Sequence, residues 1–89
     1  MTTYNFQAHD NKYNLATWDC ETITQEDAIE RFIQVLKDPS TANDEYEEKL
    51  HKAIIEKLGK KEYRVNEHPE DNEVYITIIF TEEEVNRLL

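Results

Sequence analysis

The longest run of alternating apolar positions in the chain lies near its C-terminus, at Glu73–Phe80, which reads Glu-Val-Tyr-Ile-Thr-Ile-Ile-Phe. A period of two combined with many β-branched residues is typical of a β-strand. Both faces of this strand carry apolar groups, which favours a central place in a sheet over an exposed edge. We therefore expect the rest of the chain to be arranged so that it covers this strand.

Two shorter alternating stretches near the N-terminus predict a β-hairpin. They are Tyr4–Ala8 and Tyr13–Cys20, and the polar residues His9–Lys12 between them favour a turn. The pattern leaves open whether the second strand buries the face that carries Leu15 or the face that carries Trp18. A β-bulge could also switch between the two faces.

Apolar residues at helical spacing predict three helices. Thr24 and Thr81 can cap the first and the third, and the second is expected to begin near Asn43 or Asp44. Pro39 should end the first helix, and Gly59 is the expected C-terminal glycine of the second. With a third strand at Glu62–Glu67, the predicted order is β-β-α-α-β-β-α. We expect a single α+β domain over residues 1–89, with a four-stranded antiparallel sheet and helices mainly on one face.

Charge is the most unusual property of the composition. The 89 residues include 20 acidic and 10 basic side chains, for a formal net charge of -10. Such a chain should be repelled by nucleic acid and by anionic membranes, and attracted to a basic protein surface. The alternative is that the charge serves only solubility and the helix dipoles.

Several features predict a cytoplasmic protein. A lone cysteine, Cys20, cannot form an intrachain disulfide. The N-terminal residues do not combine a basic region with an apolar one, so they do not resemble a signal peptide. No apolar run approaches the roughly 20 residues that a membrane-spanning helix needs.

The residues that most often carry catalysis are scattered. His9, His51, His68 and Cys20 show no metal-ligand spacing, and one glycine is too few for a phosphate-binding loop. No acidic residue stands inside an apolar stretch where burial would raise its pKa. We therefore expect a protein that is not an enzyme and that uses no metal and no cofactor.

The acidic residues are clustered rather than spread evenly, with dense groups at Asp44–Glu48, Glu67–Glu73 and Glu82–Glu84. Carboxylates four residues apart on a helix lie about 6 Å apart, which is comparable with phosphate spacing along a nucleic-acid strand. Such a surface could mimic DNA toward a basic groove. A small basic group, Lys57, Lys60, Lys61 and Arg64, is expected to complement a helix C-terminus and neighbouring acids.

In size, acidity, lack of catalytic motifs and hairpin-plus-helices layout, the chain resembles the small phage-encoded inhibitors of host defence, the anti-CRISPR and anti-restriction proteins. The resemblance covers the general character of the whole chain and involves no shared motif. It implies an inhibitor that binds a nuclease complex of the host cytoplasm where that complex would hold DNA. The residues that would carry this binding are Asp44, Glu45, Tyr46, Glu47, Glu48, Glu70, Asp71 and Glu73. The alternative is a self-associating module that forms a homodimer through its sheet.

Overall fold

The computed structural model describes all residues, Met1–Leu89, and its fold is α+β. Its elements are β1 (Thr2–His9), β2 (Asn14–Thr22), α1 (Gln25–Lys37), α2 (Glu45–Gly59), β3 (Arg64–His68), β4 (Glu73–Ile79) and α3 (Glu82–Leu88). Two short 3-10 turns, Pro39–Thr41 and Pro69–Asp71, lie between elements. The predicted order β-β-α-α-β-β-α is therefore confirmed.

The sheet is mixed, so the prediction of a fully antiparallel sheet is wrong. The strand order is β2-β1-β4-β3, and the central pair, β1 and β4, runs parallel. Each hairpin turns its more polar strand outward, which brings the two strands richest in buried residues side by side. Parallel neighbours need a long connection, and α1 and α2 supply it by carrying the chain from the end of β2 back to the opposite end of the sheet, where β3 begins.

Three predicted helix starts are confirmed by their hydrogen bonds. Thr24, Asp44 and Thr81 each accept a bond from the backbone N–H three residues on. The expectation for Gly59 is only partly met, because it is the last residue of α2 but has no positive φ. The left-handed residue lies further along, at Lys61, with a φ of 59°. The chain thus turns toward β3 two residues after the glycine.

The hydrophobic core lies on one face of the sheet. Alternate residues of the two central strands are buried there, and all three helices pack against them. The buried side chains are Tyr4, Phe6, Ala8, Ala28, Phe32, Leu36, Leu50, Ile54, Leu58, Ile76, Ile78 and Phe80. The opposite face of the sheet carries no helix. We call this second side of the sheet the open face.

The question that the sequence left open for β2 is answered by its register. Phe6 lies opposite Trp18, so Trp18 and Cys20 point to the core. Trp18 stacks on Phe32 of α1, with ring centroids 5.3 Å apart. The register then shifts between Ala8 and His9. This irregularity gives Leu15 partial cover as well, as the predicted bulge allows.

Candidate functional site

The first group of predicted binding residues surrounds the start of α2. Asp44 caps the helix, accepting a 2.8 Å hydrogen bond from the backbone N–H of Glu47. The Glu47 carboxylate in turn accepts a 3.0 Å bond from the side chain of Asn43. Glu45 and Glu48 are exposed. Tyr46 differs from these, because its ring packs partly against the core and offers only part of its surface to a partner.

The second group lies at the turn between β3 and β4. Glu70 and Asp71 are exposed in the 3-10 turn, which closes at Asn72 with a left-handed φ of 54°. Glu73 opens β4, and its carboxylate accepts a 2.9 Å hydrogen bond from the hydroxyl of Tyr75. This bond, with the negative charge of Glu73, raises the pKa of Tyr75.

Tyr75 is held on its other side by His68, whose ring meets it edge-on at 5.1 Å between centroids. His68 and Glu73 are direct partners across the β3–β4 pair. The tyrosine ring is therefore fixed between an acid on its own strand and a histidine on the neighbouring strand. An aromatic ring held in this way loses little freedom when a partner covers it.

The start of α2 and the side chains of Glu73 and Tyr75 lie on opposite sides of the sheet. Leu50 and Ile54 of α2 are buried against the core face of the sheet, so the first turn of this helix belongs to the helical layer. Glu73 and Tyr75 alternate with the buried Ile76 and point to the open face.

The register also brings two acids of β2 to the same end of the open face, and the sequence analysis missed both. Glu21, Thr3 and Glu73 form one row across the sheet. Asp19, Asn5 and Tyr75 form the next row. Strands lie about 4.8 Å apart, so the acids of β2 stand about 10 Å from β4. The strict alternation of Asp19 and Glu21 with Trp18 and Cys20 was a usable signal, provided that the tryptophan face was taken as the buried one.

The ion pairs of the protein lie elsewhere. Lys57 bridges Glu84 at 2.8 Å and Glu62 at 3.6 Å, Lys60 pairs with Glu56 at 2.8 Å, and Arg87 pairs with Glu83 at 2.8 Å. Two lysines of the predicted basic group thus complement neighbouring acids. The carboxylates at the start of α2, at the β3–β4 turn and on the open face form no ion pair. No ion pair within the chain therefore neutralises their negative charge.

The residues considered for chemistry stay apart in the fold. No group of three His, Cys, Asp or Glu side chains is placed to hold a metal ion. Burial raises the pKa of the Cys20 thiol, which makes the nucleophilic thiolate scarce. His51 lies in a shallow groove of about 350 Å³ between the end of α1 and α2, where its buried Nδ1 has no hydrogen-bond partner.

None of the helices combines the length and the apolar character that crossing a membrane requires. Comparison of the chain with protein-family models, with curated proteins and with solved structures found no match.

Proposed function

We propose that this protein is a small acidic inhibitor that docks on a basic, nucleic-acid-binding surface of a nuclease or of another defence complex. It acts by stoichiometric occlusion rather than by catalysis. The observation that carries the proposal is the distribution of ion pairs. The lysines and arginine that form them lie around the end of α2 and on α3, and the carboxylates near Asp44 and near Glu73 form no ion pair.

Unpaired carboxylates on a rigid scaffold favour association with a cationic surface in two ways. They steer the encounter through the long-range field of a molecule with a net charge of -10. They also avoid the cost of first breaking an internal ion pair. Since Asp44 holds the start of α2 by a capping bond, the backbone that presents Glu45 and Glu48 is already ordered.

The occluded site would be one that normally holds phosphates. Acids three and four residues apart on a helix lie about 5–6 Å apart, which lets Glu45 and Glu48 in the first turn of α2 follow the spacing of a phosphate backbone. The resemblance to anti-CRISPR and anti-restriction inhibitors supports the same choice of target, a nuclease complex in a host cytoplasm. On this proposal the protein competes with DNA and binds no nucleic acid itself.

Capture with the tagged protein, followed by competition with DNA, tests this proposal. We expect a captured nuclease or DNA-binding complex to lose DNA binding at a one-to-one ratio with the protein. We also expect its affinity for the protein to fall between low and physiological salt, where screening shortens the reach of charges. A partner that holds DNA and the protein together, with an affinity indifferent to salt, would contradict the proposal.

The alternative of a homodimer has one structural feature in its favour. β3 is an edge strand in which every residue is exposed, and 38 % of Val65 is accessible to solvent. An uncovered edge can pair with a second copy. Repulsion between two chains of charge -10 opposes this pairing. Sedimentation velocity on the isolated protein belongs with the competition experiment, and we expect a monomer of 10.6 kDa.

A further inference from the structure

The open face of the sheet has no helix packed against it. All three helices cover the opposite face, and the strands point alternate side chains outward. The outward residues of the two central strands are half-buried by their neighbours: Thr3, Asn5, Gln7, His9, Glu73, Tyr75, Thr77 and Ile79. This face is therefore a flat, ordered platform built on backbone hydrogen bonds.

Charge divides the open face into two ends. Glu21 and Glu73 flank the uncharged Thr3 at one end, and Asp19 stands in the next row. Arg64 lies at the other end, two residues along β3 from Asn66, opposite Thr77. The acidic end of the open face attracts a basic partner, whereas Arg64 repels basic groups at the other end. The distribution of charge therefore favours a partner whose basic groups lie over the acidic end.

We propose that the acidic end of the open face is the docking surface of this protein, and that its occupant is an arginine-bearing segment of a partner protein. The proposal rests on the proposed inhibitor function and adds the place of contact. Tyr75 stands at the edge of the acidic end, fixed by Glu73 and His68. An arginine guanidinium stacks on such a ring and forms paired hydrogen bonds with a carboxylate, which a lysine ammonium does not do.

Distances across the sheet fit this occupant. The acids of β2 and the acid of β4 are separated by two strand spacings, about 10 Å, with Thr3 and Asn5 between them. A helical segment about 10 Å wide therefore places cations toward both sides when it lies along β1. Asn5 and Gln7 offer side-chain amides to the backbone or polar groups of that segment.

A synthetic peptide of alternating arginine and alanine residues is the probe, with the lysine–alanine peptide as its matched control. The isotopically labelled protein is titrated with each peptide and the backbone amide resonances are followed. We expect the largest chemical-shift changes at the backbone amides of β1, of the start of β4 and of the end of β2. We also expect the arginine peptide to bind more tightly than the lysine peptide.

Three sets of neutralising substitutions locate the contact. The set on the open face is Asp19→Asn, Glu21→Gln and Glu73→Gln, which should weaken arginine-peptide binding roughly tenfold. The set at the start of α2 is Glu45→Gln, Glu47→Gln and Glu48→Gln. A control set on α1 removes the same charge: Glu26→Gln, Asp27→Asn and Glu30→Gln. Circular dichroism verifies that each variant keeps its fold.

The outcomes separate this inference from the inhibitor proposal. A loss confined to the open-face set supports the inference. A loss confined to the α2 set overturns it and leaves an acidic inhibitor that docks through its helical layer. Equal small losses in all three sets overturn it as well, since binding then follows net charge alone. If the affinity of a captured nuclease complex for the protein changes neither with any of the three sets of substitutions nor with salt, the inhibitor proposal itself fails.

Tyr75 gives a second, uncharged test. Tyr75→Ala should lower the affinity for the arginine peptide by about two- to fivefold, the size of an exposed cation–π contact. Tyr75→Phe keeps the ring and should retain most of that affinity. Equal affinities for the arginine and lysine peptides, unchanged by Tyr75→Ala, would rule out the stacked arginine.

Discussion

At the scale of single residues, the paired and the unpaired acids behave as two populations. Glu84 belongs to the first. Its carboxylate accepts hydrogen bonds from Lys57 and from the backbone N–H of Thr81, the latter at 2.9 Å, and these contacts lower its pKa. Lys57 is also placed over the ring of Phe80, 4.9 Å from its centroid. The acids around Asp44 and Glu73 form no such ion pair.

The lowered pKa of Glu84 predicts a particular dependence of stability on pH. Because the folded state holds the carboxylate ionised, the unfolded state binds more protons once the pH falls below the ordinary value of about 4.3. This contribution is therefore complete above that pH and is lost as the pH falls through the lowered pKa.

Glu84→Gln should be less stable than the native protein at neutral pH and should lose less further stability on acidification. Denaturant unfolding at neutral and acid pH measures both effects. Glu83→Gln is the control, since Glu83 pairs only with the exposed Arg87, and its acid response should follow that of the native protein. An acid response in Glu84→Gln identical to the native one would count against this role of Glu84.

At the scale of elements, β4 is a central strand of which only one face is covered by helices. Ile78 lies on the core face and has no exposed surface, whereas its neighbour Ile79 points to the open face and is half-buried. The apolar character of both faces was rightly taken as a sign of a central strand. Only one of the two faces is covered by helices, however, and the other is shielded by flanking side chains alone.

This difference predicts unequal costs for one chemical change. Ile78→Val removes a methylene from close packing and should lower the free energy of unfolding by about 1 kcal/mol. Ile79→Val removes the same group from a half-exposed position and should cost clearly less. Chemical denaturation of the two variants, carried out in parallel, measures the two losses in the free energy of unfolding. Equal costs would mean that the open face is covered in solution, which would itself indicate self-association.

At the scale of the whole molecule, negative charge is spread over both sides of the sheet and only part of it is neutralised. Acids stand at the start of α2 on one side, and on β2 and β4 on the other. A surplus of this size disfavours the compact state through self-repulsion. It also gives the molecule a long-range attraction for any cationic surface, which is the basis of the function proposed above.

Self-repulsion predicts that moderate salt stabilises the protein. Sodium chloride shortens the Debye length to about 10 Å at 0.1 M, so the midpoint of thermal unfolding should rise from low to moderate salt. The variant with Asp19→Asn, Glu21→Gln and Glu73→Gln carries less surplus charge and should show a smaller rise. A midpoint that falls with salt would indicate that the internal ion pairs outweigh the repulsion.

The sequence by itself determined the elements of this protein, because they depend on local patterns. Alternation predicted the strands, and capping residues such as Thr24 and Thr81 predicted where helices begin, since these bonds form within one turn. The clustering of acidic residues near Asp44 and Glu70 was likewise evident from the sequence.

Only the tertiary structure decided how strands were paired and which acids share a surface. The parallel pairing of β1 with β4 joins segments far apart in the chain, and local sequence patterns do not predict it. That contact brings Glu73 within two strands of Glu21 and turns both to the open face, while it leaves Glu45 in the helical layer. Strand order and register are set by packing of the whole core, so the docking surface could be drawn only once the fold was known.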